Sequence, residues 1–64
     1  MKRQEFIKYL RLQGCEFSRE GGCHSWWINR ALNKRSSIPR HNEINDLLIK
    51  KICKDLGILP VSKR

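Results

Sequence analysis

No apolar run in this chain approaches the ~20 residues that a membrane-spanning helix needs, so it is not read as membrane-embedded. Met1-Lys2-Arg3 is basic, but a charged, helix-like pattern follows it rather than the apolar stretch of a signal peptide. The expected address is the cytoplasm. Cysteines are few and odd in number: Cys15, Cys23 and Cys53, with no C-x-x-C pair. A disulfide framework does not suit that compartment. Structural zinc wants about four ligands at recognisable spacing, whereas Cys23-His24 is an isolated neighbouring pair and Cys15, Cys53 and His41 are scattered. Neither a metal nor a cofactor is expected, and Cys15 and Cys53 read as small buried apolar residues. Acidic residues are also scarce: six Asp and Glu stand against fourteen Lys and Arg, for a formal net charge of +8. That excess favours a polyanionic partner, nucleic acid before an anionic membrane surface. The basic residues are spread along the chain rather than gathered in a tail, so charge alone does not separate this reading from mere solubility. There is no internal repeat and no low-complexity segment. At 64 residues the chain is one small domain. A domain of this size buries only about 60% of its unfolded-chain surface and has no room for a deep cavity; a polymer engaged along an open face fits better.

In residues 3 to 13, Phe6, Ile7 and Leu10 share one face at helical period, and Gly14 is placed to let the chain leave in a left-handed conformation. Tyr9 and Leu12 lie off that stripe, either as an edge of the core or as an exposed patch. Cys15-Glu16-Phe17-Ser18-Arg19 alternates apolar and polar, which predicts a half-buried strand. Glu20-Gly21-Gly22 is turn chemistry, and Cys23 to Asn29 reads as a second strand, closing a hairpin. Arg30 to Arg35 reads as a polar loop and Ser36-Ser37-Ile38 as a short third strand, ended by Pro39, which lacks the N–H a ladder needs. After the Arg40–Glu43 connection a second helix begins near Asn45, a strong N-cap residue, with Asp46 in the first turn. Ile44 and Ile49 are spaced for a hydrophobic staple. Leu48, Ile49, Ile52, Cys53 and Leu56 make its apolar face, Lys50, Lys51 and Lys54 lie opposite, and Gly57 stops it. Ile58 and Leu59 are placed to fold back on the core, and residues 60–64 form a basic tail beyond a single domain of residues 1–59. The order helix, three strands, helix predicts an α+β fold: an antiparallel meander with both helices on one face and the other face open.

The segment Gly21-Gly22-Cys23-His24-Ser25-Trp26-Trp27 concentrates the chemistry. Its glycines suit a tight turn. His24 opens the strand and carries the one side chain whose ordinary pKa lies near neutrality. From the residues alone, His24 either hydrogen-bonds the turn or handles a proton for a substrate. Trp26 and Trp27 must point to opposite faces of a strand. The pattern favours Trp26 in the core and Trp27 exposed, where it could stack on a base. His41 lies in a loop, with a helix-entry or solvent role as open as a chemical one.

Three pieces of the chain together resemble the HicA toxins of bacterial and archaeal toxin–antitoxin systems. They are Gly14-Cys15-Glu16-Phe17 after the first helix, Gly22-Cys23-His24 at the second strand, and Ile38-Pro39-Arg40-His41-Asn42-Glu43-Ile44-Asn45 leading into the last helix and Gly57. The resemblance runs over roughly residues 2 to 58. It implies an α-β-β-β-α fold like that of double-stranded-RNA-binding domains, and an mRNA endonuclease that blocks translation and is neutralised by a HicB-type antitoxin. DNA would be met only through that antitoxin. The family's functional histidine maps onto His24; Cys23 stands before it, where relatives often carry serine or lysine.

RNA supplies its own nucleophile, the 2′-hydroxyl, so cleavage needs a proton acceptor, a proton donor and positive charge, not strictly a metal. The expectation is His24 as general acid or base. Arg19 and Arg40 are candidate phosphate contacts, and Lys34, Arg35 and Trp27 further RNA contacts. The competing readings are a non-catalytic RNA-binding module of the same fold, a DNA-binding regulator (disfavoured because strands separate the two helices) and, more distantly, a membrane-surface peptide.

Overall fold

The computed structural model describes residues 1–61. The chain runs α1 (Arg3–Leu12), β1 (Glu16–Gly21), β2 (His24–Asn29), β3 (Lys34–Pro39) and α2 (Asp46–Leu56). The strands form one antiparallel sheet in the order β1-β2-β3, and both helices cover the same face. This is the expected α-β-β-β-α architecture, consistent with a double-stranded-RNA-binding-domain-like α+β fold with an open sheet.

The helix ends follow from local chemistry. Asn45 Oδ1 accepts the Leu48 N–H at 2.8 Å, a side-chain cap on α2. Gly57 closes that helix at φ 71°, where the Ile58 N–H reaches the Cys53 carbonyl at 3.0 Å. Gly14, at φ 89°, does the same work after α1. The first turn of α1 has no side-chain cap. It is tied instead to the segment before α2: the Arg3 N–H donates to the Asn42 carbonyl at 2.8 Å and the Ile44 N–H to the Met1 carbonyl at 2.9 Å. The Arg40–Glu43 connection is therefore pinned by a short antiparallel bridge, Lys2 to Glu43, rather than a free loop.

One core joins both helices to β2 and β3: Phe6 and Leu10 of α1, Cys15, Trp27, Ile38, Ile44, and Ile49, Ile52, Cys53 and Leu56 of α2. Ile44 and Ile49 are both buried there, as the staple spacing requires. Tyr9 packs at the core edge and its hydroxyl donates to the Leu59 carbonyl at 2.6 Å, whereas Leu12 stays exposed. Ile58 packs against the core but Leu59 does not. Val61 also packs there, so the inner part of the expected tail is docked, while residues 62–64 lie outside the described residues.

Cys15 and Cys53 are buried free thiols and Cys23 is exposed. Burial pushes the Cys15 thiol up, aided by the neighbouring Cys53; burial likewise raises Cys53 against a lowering hydrogen bond from the Val61 backbone. A thiol reagent should therefore modify Cys23 rapidly and reach Cys15 and Cys53 only on unfolding, as mass spectrometry of labelled protein would show. The raised values also have a sign. Above the ordinary thiol value of 9.0 the unfolded chain loses protons that the folded one keeps, so this part of the stability falls as pH rises through that range.

The sheet corrects three expectations. The third strand is longer than Ser36–Ile38, since backbone pairing with β2 continues from Pro39 back to Lys34. The first strand buries none of its six residues and sends none into the core, although β3, the other edge strand, does; Phe17 remains 44% exposed and meets Trp27 edge-on, centroids 6.1 Å apart. The two tryptophans are exchanged. Trp27 is 3% exposed and in the core, with the Arg11 guanidinium 5.1 Å from its ring centroid, so it cannot stack on a base; Trp26 is the half-buried one on the open face. Register decides this. Trp27 pairs with Phe17 and Ser36 on the helix side, and its neighbours two residues away, Ser25 and Asn29, also turn inward. Asn29 then donates to the Leu56 carbonyl at 2.8 Å, locking β2 to the end of α2.

Candidate functional site

A β-bulge shapes the site. On β1, Phe17 pairs with Trp27 but Arg19 pairs with Trp26, so Ser18 is an extra residue. An inserted residue flips the parity of every later position on its strand. Arg19 is turned to the open face and Glu20 to the helix face, opposite Ser25.

There Glu20 joins a chain of polar groups at the end of the sheet. Buried Ser25 donates its hydroxyl to the Glu20 carboxylate, at 3.2 and 3.3 Å to its two oxygens, and accepts from Arg3 Nη2 at 3.2 Å. Arg3 Nε also donates to the Pro39 carbonyl at 2.9 Å, and Arg40 forms an ion pair with the same Glu20 carboxylate. One helix and all three strand ends are thus tied together directly beside His24. The Arg40–Glu20 pair is about half exposed on both sides. Such a pair is worth roughly 0–1 kcal/mol, so Arg40 is held in place yet readily given up to a stronger anion.

His24 is exposed at the start of β2, paired with Gly21 and Pro39. It opens onto a shallow cleft of about 350 Å³ lined by Gly22, Cys23, His24, Pro39, Arg40 and His41. A second cleft, of about 390 Å³, is lined by Lys2, Arg3, Gln4, Arg40, Asn42 and Glu43. Arg40 belongs to both, so a cationic path leads from the start of α1 to the two imidazoles. The Gly22 turn is at φ 61°, where a Cβ is disfavoured.

Of the residues expected at the site, the fold brings His24 and Arg40 into one cleft and adds His41 to it. Arg19 lies on the open face, opposite Trp26. Lys34 and Arg35 sit at the far end of the sheet: Lys34 pairs with Asn29, five residues along β3 from Pro39, which is roughly 17 Å. Lys2, Arg3, Glu20 and Ser25 were not singled out by sequence reasoning. Their partners lie up to 41 residues away, as Glu43 does from Lys2, and nothing in their local spacing announces them. Among the described residues, no group of three or more His, Cys, Asp or Glu is arranged to hold a metal ion, and no helix is long and apolar enough to cross a membrane.

No curated protein and no solved structure matches the chain significantly. The family model described as the HicA toxin of bacterial toxin-antitoxin matches residues 3–58, which takes in every helix and strand and the whole lining of the His24 cleft. A helix-flanked sheet with an accessible histidine in a cationic cleft is thus carried by a sequence that fits that family over most of its length, and the chain belongs to the HicA toxins, the toxin partners of cognate antitoxins.

Proposed function

We propose that this toxin is an mRNA endonuclease that acts at the His24 cleft, and that translation stops because its message substrates are cut. The observation that carries the reading is the exposed His24 imidazole sharing one open cleft with Arg40 and His41. A polymer can cross such a cleft, whereas a small molecule would find little enclosure there.

In this reading the phosphate lies against Arg40, which exchanges its Glu20 carboxylate for a phosphoryl oxygen and steadies the charge that develops on it. One imidazole takes the proton of the ribose 2′-hydroxyl as O2′ bonds to phosphorus; a second group returns a proton to O5′ as the P–O5′ bond breaks. His24 is the first candidate for these roles and His41, on the same cleft, is the second. The nucleophile comes from the RNA, so the residues at hand suffice without a metal. The products would carry a 2′,3′-cyclic phosphate and a 5′-hydroxyl. The antitoxin is of HicB type, acts by covering this cleft, and is the route by which DNA is met. The pair works in the cytoplasm.

The direct test is purified protein on single-stranded RNA in the presence of EDTA, with the product ends mapped. Cleavage leaving a cyclic phosphate is expected. Tight RNA binding without cleavage, under conditions where a known nuclease is active, would replace this reading with the non-catalytic RNA-binding module.

Arg40 has its own signature. Losing one phosphate contact to a single strand changes the slope of log affinity against log salt by about 0.7. Arg40→Ala should therefore weaken RNA binding at low salt and flatten that slope by about this amount, as fluorescence anisotropy across a salt series would record. An unchanged slope would remove Arg40 from the phosphate path.

A further inference from the structure

The face of the sheet turned away from the helices carries, along β2, His24, Trp26 and Ile28. Trp26 stands between Arg19 on β1 and Ser37 on β3; Ile28 stands between Glu16 and Arg35. Alternate residues of a strand are ~6.6 Å apart, so Trp26 is one such step from His24. Its indole is not upright over its own position. A Cβ built on Gly21 would fall 2.7 Å from Trp26 Nε1 and 2.9 Å from Cδ1. The ring therefore lies diagonally across the bare backbone of Gly21, the residue that pairs with His24. Gly21 has no positive φ, so its backbone does not demand glycine; the indole does. Trp26 stays half-buried, while Trp27 is spent in the core. Arg19 and Arg35 flank this face, and neither forms an ion pair among the described residues.

We propose that Trp26 is a nucleobase-stacking subsite: it receives the base next to the phosphate held at His24, with Arg19 beside it for the adjoining backbone. The proposal rests on the nuclease reading for what occupies the neighbouring cleft. An aromatic ring flanked by cations, two positions along the strand from the His24 cleft, matches single-stranded RNA, whose bases stack on aromatic side chains while its backbone meets positive charge. Gly21 serves as a positioning residue, because its missing side chain is what lets the indole lie toward His24.

The test is a double-mutant cycle in binding. A labelled short single-stranded RNA is titrated into His24→Ala protein, with and without the further change Trp26→Ala, while an abasic residue is moved through the RNA one position at a time. One abasic position should weaken binding roughly 5- to 150-fold when Trp26 is present, the range of base–aromatic stacking, and have no effect when it is absent. Trp26→Phe should retain part of the abasic effect, and Gly21→Ala, which displaces the ring, should reduce it. Near-ultraviolet circular dichroism of the buried Trp27 reports whether each variant is folded. An abasic penalty of equal size with and without Trp26 overturns the proposal. So does an unchanged penalty combined with loss of neutralisation by the cognate antitoxin when Trp26→Ala is made in the protein that keeps His24, which would give this face to the protein partner. A Trp26-dependent penalty, together with no RNA cleavage by the protein that keeps His24, would sink the nuclease reading and leave the subsite standing; cleavage by that protein without Trp26 dependence of the penalty would do the reverse.

Discussion

His24→Ala should slow RNA cleavage by roughly 10²–10⁴-fold, the contribution of a positioned general acid or base. The same change should leave the fold intact. His24 is exposed, lies outside the core and makes no side-chain hydrogen bond among the described residues, and surface changes of that kind usually move stability by within about 0.5 kcal/mol. Single-turnover cleavage with protein in excess over RNA isolates the chemical step, and a denaturant melt of the same preparation checks the fold. Because Arg40 and the rest of the cationic path are untouched, RNA affinity should stay close to wild type. In cells, induced wild-type protein should arrest growth and the variant should not. A folded variant that cleaves at the wild-type rate would take His24 out of the reaction. A variant whose defect is confined to KM would make it a binding residue instead.

Phe6→Ala should abolish the same growth arrest by a different route. Phe6 is fully buried, in the core that joins both helices to the sheet. Truncating a buried phenylalanine costs about 3–5 kcal/mol, through lost transfer energy and the cavity left behind. A domain of 64 residues holds only about 3–10 kcal/mol in total at typical values per residue. The change therefore removes between a third and all of the stability, and in the weaker case much of the chain is unfolded at growth temperature. Urea or thermal melts would show a large loss for Phe6→Ala and none for His24→Ala. The two variants thus separate a toxin that cannot fold from one that folds and cannot cut. A Phe6→Ala protein with a wild-type melt would mean that the two layers are held together elsewhere.

The effects differ because the molecule keeps its fold and its chemistry in different places. The core lies between the sheet and the helices. The cleft lies at one end of the sheet, and the stacking face on the far side of it. The polar chain Arg3–Ser25–Glu20–Arg40 is the physical link between them. It passes from the first turn of α1 across the sheet end to an arginine that lines the cleft. A damaged α1 would therefore disturb Arg40 without touching His24.

Local chemistry in the residues alone was enough for the element order, both helix ends at Gly14 and Gly57, the Asn45 cap and the buried Cys15 and Cys53. These depend on interactions within a few residues, or on a helical face of one hydrophobicity, and such signals are written in spacing. The place of His24 was legible for a related reason: the Gly22-Cys23 turn sets the residue after it at a strand mouth. What pairs with what across strands is set by register, and register is a property of two segments at once. The bulge at Ser18 could not be read from alternation, yet it turns Glu20 toward Ser25 and Arg19 toward Trp26. The same dependence hid which tryptophan is buried: either parity of β2 satisfies the local pattern, and only the helices packed over Trp27 choose between them. Contacts between residues tens of positions apart, which set Arg3 on Pro39 and place Arg40 and His41 beside His24, exist only once the chain has closed on itself.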